Sequence, residues 1–301
     1  MIVEFGLALA LMRAAWAQPL PAQQKLDEQI KTKLQAFHGQ VSIYAKNLDS
    51  GATYSLNGEE PVRTASTIKL AIMTECFAAV NEGKLNLGEK LTLSADEKVP
   101  GAGLLHEFSD GDQLPVRDLI DLMIVMSDNT ATNMLLDRVG GNAVNARMQQ
   151  LGFEQMRVMR KIGGSKSASF NPGVTTEGAK PENKKWGIGR SSPYEMAMLM
   201  EKLYRGELVS KAASAEMLAI LKRQRDRDGI ARDMQDVEVA NKTGALDHLR
   251  SDVGIVYSKR GNIAIAITID DIPDVNWTPD NPGLLMISGL SELLLDGLAN
   301  K

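Results

Sequence analysis

Strand-forming segments lie at both ends of this 301-residue chain, with helix-forming segments between them, and that arrangement constrains the fold more than any other feature. Near the start, VSIYAKNLDSGATYSLN (Val41–Asn57) alternates β-branched and aromatic residues around the turn Asn47-Leu48-Asp49-Ser50-Gly51, which predicts a hairpin. Near the end, DVEVANKTG, SDVGIVYSK and GNIAIAITID return to strand patterns. Between them, TIKLAIMTECFAAVNEG, VRDLIDLMIVM, NTATNMLLDRVGG and SPYEMAMLMEKLY carry helical spacing. The strands at the two ends are expected to form one antiparallel sheet. The stripe Leu26, Ile30, Leu34 and Phe37 and the closing segment GLLMISGLSELLLDGLA supply helices to cover it. The expected fold class is α/β (α+β), with a sheet part from residues 18–63 and 205–301 and an inserted all-helical part from 64–204.

Composition narrows the partners. An apolar content of 44% supports a full core, and a formal net charge of -4 provides no uniform positive field for nucleic acid or an anionic membrane. The one cysteine, Cys76, excludes an internal disulfide and a cysteine-rich metal site. The three histidines, His38, His106 and His248, show no catalytic or zinc-binding spacing, so no metal or organic cofactor is expected. Residues 1–17 combine a short apolar run with the small-x-small ending Ala15-Trp16-Ala17 and read as an export signal, although Glu4 interrupts the run and no cation precedes it. The rest of the chain, 18–301, is then a monomer outside the cytoplasm, periplasmic or secreted, with no stretch long enough to span a membrane.

The segment Gly163–Arg190 is rich in Gly, Ser, Pro and Lys and has no period. A loop of that length inside a compact domain commonly borders a functional site.

The chemistry starts at RTASTIKLAIM (Arg63–Met73), where Ser66 and Lys69 stand one helical turn apart on one face. An S-x-x-K match is expected about once by chance in a chain of this length. Its place at a helix start gives it meaning, because free N–H groups there can stabilise an oxyanion and a lysine kept neutral by burial can take the serine proton. Two further motifs follow in order. Ser127-Asp128-Asn129 falls at the break between two helical runs, and Lys242-Thr243-Gly244 ends a predicted strand. Asp128 by itself reads as a helix cap.

S-x-x-K, then S-D-N, then K-T-G is the signature of class A β-lactamases and penicillin-binding proteins, and the chain resembles that family from about Gln23 to its last helix. The resemblance implies an acylated nucleophile at Ser66, with Lys69 as its base and Ser127 passing the proton to the leaving amide nitrogen. Asn129 would hold the substrate's side-chain amide, Lys242 would supply positive potential, and Thr243 would bind a substrate carboxylate. Gly244 would keep the strand edge clear, and the backbone N–H groups of Ser66 and Ala245 would form the oxyanion hole. Arg250, in HLRSDVGIV, is placed to offer a second cation to that carboxylate. The implied partner is a small β-lactam or a peptidoglycan-like acyl donor.

One family element is missing. Class A enzymes carry E-x-x-L-N in the loop after the second motif, and its glutamate activates the deacylating water. Counting forward from Ser127 puts that slot near Ile162, whereas counting back from Ser191 puts it near Glu177, with Glu182 close by. The chain is therefore expected to be a serine hydrolase opening β-lactam amides. A D-alanyl-D-alanine peptidase or esterase-like relative, or a slowly deacylating penicillin-binding protein, is the alternative.

Overall fold

The computed structural model describes residues 21–163, 173–234 and 236–299, so the expected export signal at 1–17 lies outside the described residues. Helix α1 (Pro21–Leu34) buries Leu26 and Ile30 and ends with Lys31 and Lys33, cations that suit the negative end of the helix dipole. The predicted hairpin follows as β1 (Gln40–Asn47) and β2 (Thr53–Leu56). Strand β3 (Val62–Arg63) leads into a 3-10 turn, Ala65–Ile68, and then helix α2 (Lys69–Asn81). Helix α2 begins three residues after the nucleophile candidate, because Ala65 has φ +46 and Thr64 makes no side-chain cap.

Strands β4 (Lys90–Thr92) and β5 (Gln113–Pro115) form a small pair ahead of helices α3 (Val116–Val125), α4 (Asn129–Val139) and α5 (Gly141–Gln150). Strands β6 (Arg157–Val158) and β7 (Gly189–Ser191) add to β3 as a three-stranded sheet in the order β3-β7-β6. Helices α6 (Pro193–Arg205) and α7 (Lys211–Leu221) come next. Helix α6 is delimited by local chemistry, with the Ser192 hydroxyl accepting from Glu195 N–H, Pro193 in the first turn and left-handed Gly206 at the end. The closing elements are β8 (Glu238–Leu246), β9 (Leu249–Tyr257), β10 (Ile263–Asp270) and α8 (Pro282–Leu298).

The main sheet is antiparallel in the order β2-β1-β10-β9-β8, so the first hairpin is joined to the last three strands through β1 and β10, with Ile43 opposite Ile267. Strand β10 shows why the sequence demands this. In IAIAITID, the isoleucines 263, 265, 267 and 269 face one core cluster with Leu26 and Ile30 of α1 and Ile287, Leu290 and Leu294 of α8. Ala264 and Ala266 face the opposite cluster, where α6 packs against β10 and β1. Each isoleucine withdrawn from water contributes about 1.5–3 kcal/mol.

Two features differ from expectation. The segment 64–204 is mainly helical and also holds β4 to β7, whose two or three residues each are too short to produce an alternating pattern. Helix α7, expected with the sheet part, packs on α3 and α6 as well as on β8, and its Met217, Ile220 and Leu221 belong to the helical-side core.

Candidate active site

Strand β8 is the edge of the main sheet, and its K-T-G segment lies against the 3-10 turn that carries Ser66. The approach depends on Gly244, where a Cβ would sit 2.8 Å from Thr64 O and 3.1 Å from the backbone N atoms of Ser66 and Thr67. A side chain there would push the nucleophile candidate away from the strand. Ahead of the turn, the Arg63 guanidinium holds Asp270 of β10, with Nε to Oδ2 at 2.8 Å, tying this segment to the centre of the sheet.

Ser127 stands between α3 and α4 with φ +54, a left-handed posture unusual for a non-glycine residue. Its neighbour keeps it there. Asp128, fully buried, accepts from Ala131 N at 2.8 Å as the cap of α4 and from Leu104 N and Leu105 N at 2.7 and 2.8 Å. Strain at Ser127 is thus offset by three bonds to the adjacent carboxylate. The cap expected at Asp128 is present.

Both lysines of the motifs are fully buried, yet no carboxylate among the described residues pairs with either. Lys69 Nζ donates to Ser127 O at 2.7 Å and lies 3.1 Å from Asn129 Oδ1 and 3.2 Å from Ser127 Oγ. Lys242 Nζ lies 3.0 Å from the same Ser127 Oγ and donates to Thr243 O at 2.7 Å. One hydroxyl therefore bridges two ammonium groups. Burial, reinforced by the charge of Lys242, drives Lys69 well below the ordinary lysine range, with Asp128 opposing weakly. Burial also lowers Lys242, to about 8, with Asp226 and Asp252 acting in the opposite direction. Lys242 thus stays charged at neutral pH while Lys69 is pressed toward the free amine. In that state Ser127 Oγ can accept from Lys242 and donate to Lys69. The Ser66 hydroxyl has no partner among the described residues, which leaves it free to meet a ligand.

A pocket of about 600 Å3 opens over these groups. Ser66, Ser127, Asn129, Thr243, Gly244, Ala245 and Arg250 all border it, so the structure brings three distant motifs to one cleft. Ile188, from the segment 163–190, borders it as well, although residues 164–172 of that segment lie outside the described residues. A larger open groove of about 930 Å3, between Phe37, Val41, Arg63 and Trp186, contains none of the motif residues.

Two candidates require correction. Glu177 does not border the pocket; its carboxylate accepts from Lys180 Nζ at 2.7 Å, which lowers its pKa, and lies 3.3 Å from Asn183 Nδ2. Glu182 sits in an exposed 3-10 turn, Pro181–Trp186. Arg250 is only 2% exposed, and its guanidinium is committed to Leu246 O, Leu249 O and Asn276 O. It braces the turn after β10 instead of presenting a free fork to a carboxylate.

The glutamate slot counted forward from Ser127 is the one that reaches the site, because Ile162 borders the pocket. Asn133 holds it there, donating to Ile162 O at 2.8 Å and accepting from Ile162 N at 2.9 Å. Sequence reasoning missed Asn133, although its spacing of four from Asn129 puts both on one face of α4. It also missed Trp277, Leu284, Asp226 and Asp228, which border the other end of the cleft and match no motif.

The model of the Beta-lactamase enzyme family matches residues 25–298. Beta-lactamase AER-1 of Aeromonas hydrophila is 23% identical over 237 residues, covering 77% of this chain and 73% of that protein, and a beta-lactamase of Rhodobacter capsulatus is 22% identical, covering 94% and 92%. Among solved structures, a beta-lactamase from Sphaerobacter thermophilus superposes with TM-score 0.78 at 28% identity, covering 91% of this chain and 97% of that one. A leucine-to-glutamate variant of PBP-A, solved as its acyl-enzyme complex with penicillin G, gives TM-score 0.75 at 29% identity and covers 91% and 95%. From fold, family model and relatives together, this chain belongs to the Beta-lactamase enzyme family.

Proposed function

We propose that this chain is a serine hydrolase of the class A β-lactamase type, opening β-lactam amides through an acyl-Ser66 intermediate. The observation that carries the proposal is the Ser127 hydroxyl held 3.2 and 3.0 Å from two buried lysines beside Ser66. Ser66 Oγ attacks the amide carbonyl carbon while its proton passes to neutral Lys69. The carbonyl oxygen gathers negative charge facing the backbone N–H groups of Ser66 and Ala245. As the C–N bond breaks, Ser127 gives its proton to the departing nitrogen and regains one from Lys69, which returns to the free amine. Lys242 remains charged throughout, and with Thr243 it attracts a carboxylate attached near that nitrogen. Asn129 holds an amide on the other side of the scissile bond.

Release of the acyl group is the slow step. Ile162, at the slot counted forward from Ser127, borders the pocket and carries no base, and Glu177 is bonded elsewhere. A relative of comparable fold has been captured as its acyl-enzyme with penicillin G. The second reading, a slowly deacylating penicillin-binding protein or peptidase relative that takes peptidoglycan-like acyl donors, rests on the same isoleucine. The protein acts as a monomer outside the cytoplasm, in keeping with its N-terminal export pattern, and no helix among the described residues is long and apolar enough to cross a membrane.

Incubation with a chromogenic cephalosporin, followed by intact mass spectrometry, tests this. Sustained colour with little adduct is expected of the hydrolase, whereas a stoichiometric burst with a lasting adduct on Ser66 supports the second reading. Absence of any adduct, with colour equal in a Ser66→Ala variant, refutes the nucleophile.

A further inference from the structure

Trp277 is 62% exposed, a large aromatic left in water at the mouth of the catalytic cleft. Tryptophan is highly buried on average, and an exposed ring beside a pocket points to a ligand contact. The ring is not loosely held. The Arg250 guanidinium lies under one face, its carbon 4.7 Å from the ring centroid. The turn carrying the ring is cross-braced, with Arg250 and Asn281 Nδ2 both donating to Asn276 O and with Thr278 N and Oγ1 donating to Asn276 Oδ1 at 2.8 and 2.7 Å. Arg250 is the strand partner of Ala245, so the brace runs directly back to the oxyanion-hole candidate. One face of Trp277 is thus occupied and the other is presented, and Leu246 and Leu284 border the same end of the cleft.

The geometry points to a specificity subsite, formed by the free face of Trp277 with Leu246 and Leu284, that takes a neutral aromatic substituent on the leaving-nitrogen side of the acyl donor. This inference rests on the acyl-Ser66 reading. The direction follows from the proposed role of Thr243 and Lys242 in holding a carboxylate beside the leaving nitrogen, since Leu246 continues the same strand and Arg250, paired with Ala245 of that strand, lies against the Trp277 ring. The charge follows from Asp226, whose carboxylate acts on both Lys242 and Arg250, and from Asp228, whose N–H donates to Asp226 Oδ1 at 3.2 Å; both border the cleft and disfavour an anionic ring. Stacking on a fixed indole adds affinity for an aryl group that a methyl group cannot gain. Arg250 is then a positioning residue, acting through the tryptophan.

The test uses two cephalosporins that differ only at the ring carbon near the leaving nitrogen, one with an uncharged arylvinyl group and one with methyl. Acylation of Ser66 is followed by intact mass, and the aryl-to-methyl ratio of second-order rate constants is compared in the parent, Trp277→Phe and Trp277→Ala. Trp277→Ala lowers the ratio about tenfold, while Trp277→Phe keeps most of it. A ratio unmoved within about twofold in Trp277→Ala overturns the subsite and leaves the acyl-serine reading intact. Equal losses in the Phe and Ala variants also overturn it. A second readout does not need acylation. In a Ser66→Ala background the aryl compound quenches tryptophan emission saturably, and the quenching disappears when Trp277→Phe is added. Saturable, Trp277-dependent quenching without adduct formation in the parent sustains the subsite and removes the acyl-serine reading. If the aryl compound neither quenches nor acylates, the subsite is overturned.

Discussion

The two sides of strand β8 and its neighbours are built on opposite rules. Toward α1 and α8 the sheet presents isoleucines 263, 265, 267 and 269 to leucines and isoleucines, and that cluster is apolar. At the free edge of β8, against the Ser66 turn and α4, the chain buries two lysines and Ala65, whose φ is positive, around the half-buried hydroxyl of Ser127, whose φ is positive too. The first interface stabilises the fold. The second spends some of that stability to hold a proton path in a dry place. A buried amine and a buried cation packed around one hydroxyl are unfavourable in a folded protein taken alone, and they persist because the adjacent sheet is deeply packed.

Substitutions should separate the two regions. The largest effect is expected at the edge, where Ser66→Ala lowers the acylation rate by about 100,000-fold or more without loss of secondary structure, measured by adduct formation and circular dichroism. Next, Lys69→Met slows acylation by about 100- to 10,000-fold, yet its thermal midpoint stays level or rises, because a buried amine that desolvation keeps from its ordinary charge is replaced by an apolar side chain. A clear fall in midpoint would show that the edge contributes to stability. On the other face, Ile267→Ala costs about 2–5 kcal/mol in denaturant unfolding and changes the acylation rate by no more than about twofold. Ile162→Glu should raise the rate of adduct loss by about 100-fold, read as recovery of free enzyme mass, if the isoleucine side chain occupies the site of a missing base.

The smallest effect is in pH dependence. Acylation rises with pH as Lys69 loses its proton, then falls near pH 8 as Lys242 loses its own. Stability moves the other way. The folded pKa of Lys242 is about 8, below its ordinary 10.5, so between those values the unfolded chain holds the extra proton. The parent therefore gains stability relative to Lys242→Met as pH rises through that window. A parallel decline of both observables would refute the assignment.

Much of this was legible in the residues because it is local or periodic. IAIAITID announces a strand with two different faces, SSPYEMA announces a capped helix, and the three motifs carry their chemistry in adjacent letters. What escaped depends on contacts that no spacing encodes. Arg250 reads as a substrate clamp until Asn276, 26 positions away, takes its donors. Glu177 reads as a candidate base until Lys180 and Asn183 claim it. The strands β3, β6 and β7 are too short to register, yet β3 delivers Ser66 to β8. Trp277 is an ordinary letter in an ordinary turn, and only its exposure beside the cleft makes it notable.

The pairing of β1 with β10 also sets a timetable. Ile43 emerges early in synthesis and waits for Ile267, so the sheet cannot close until nearly the whole polypeptide has been made. Lys242 lies 115 residues beyond Ser127, so their contact also waits for most of the chain. A growing chain on the ribosome consequently lacks a complete cleft until its last strands are released.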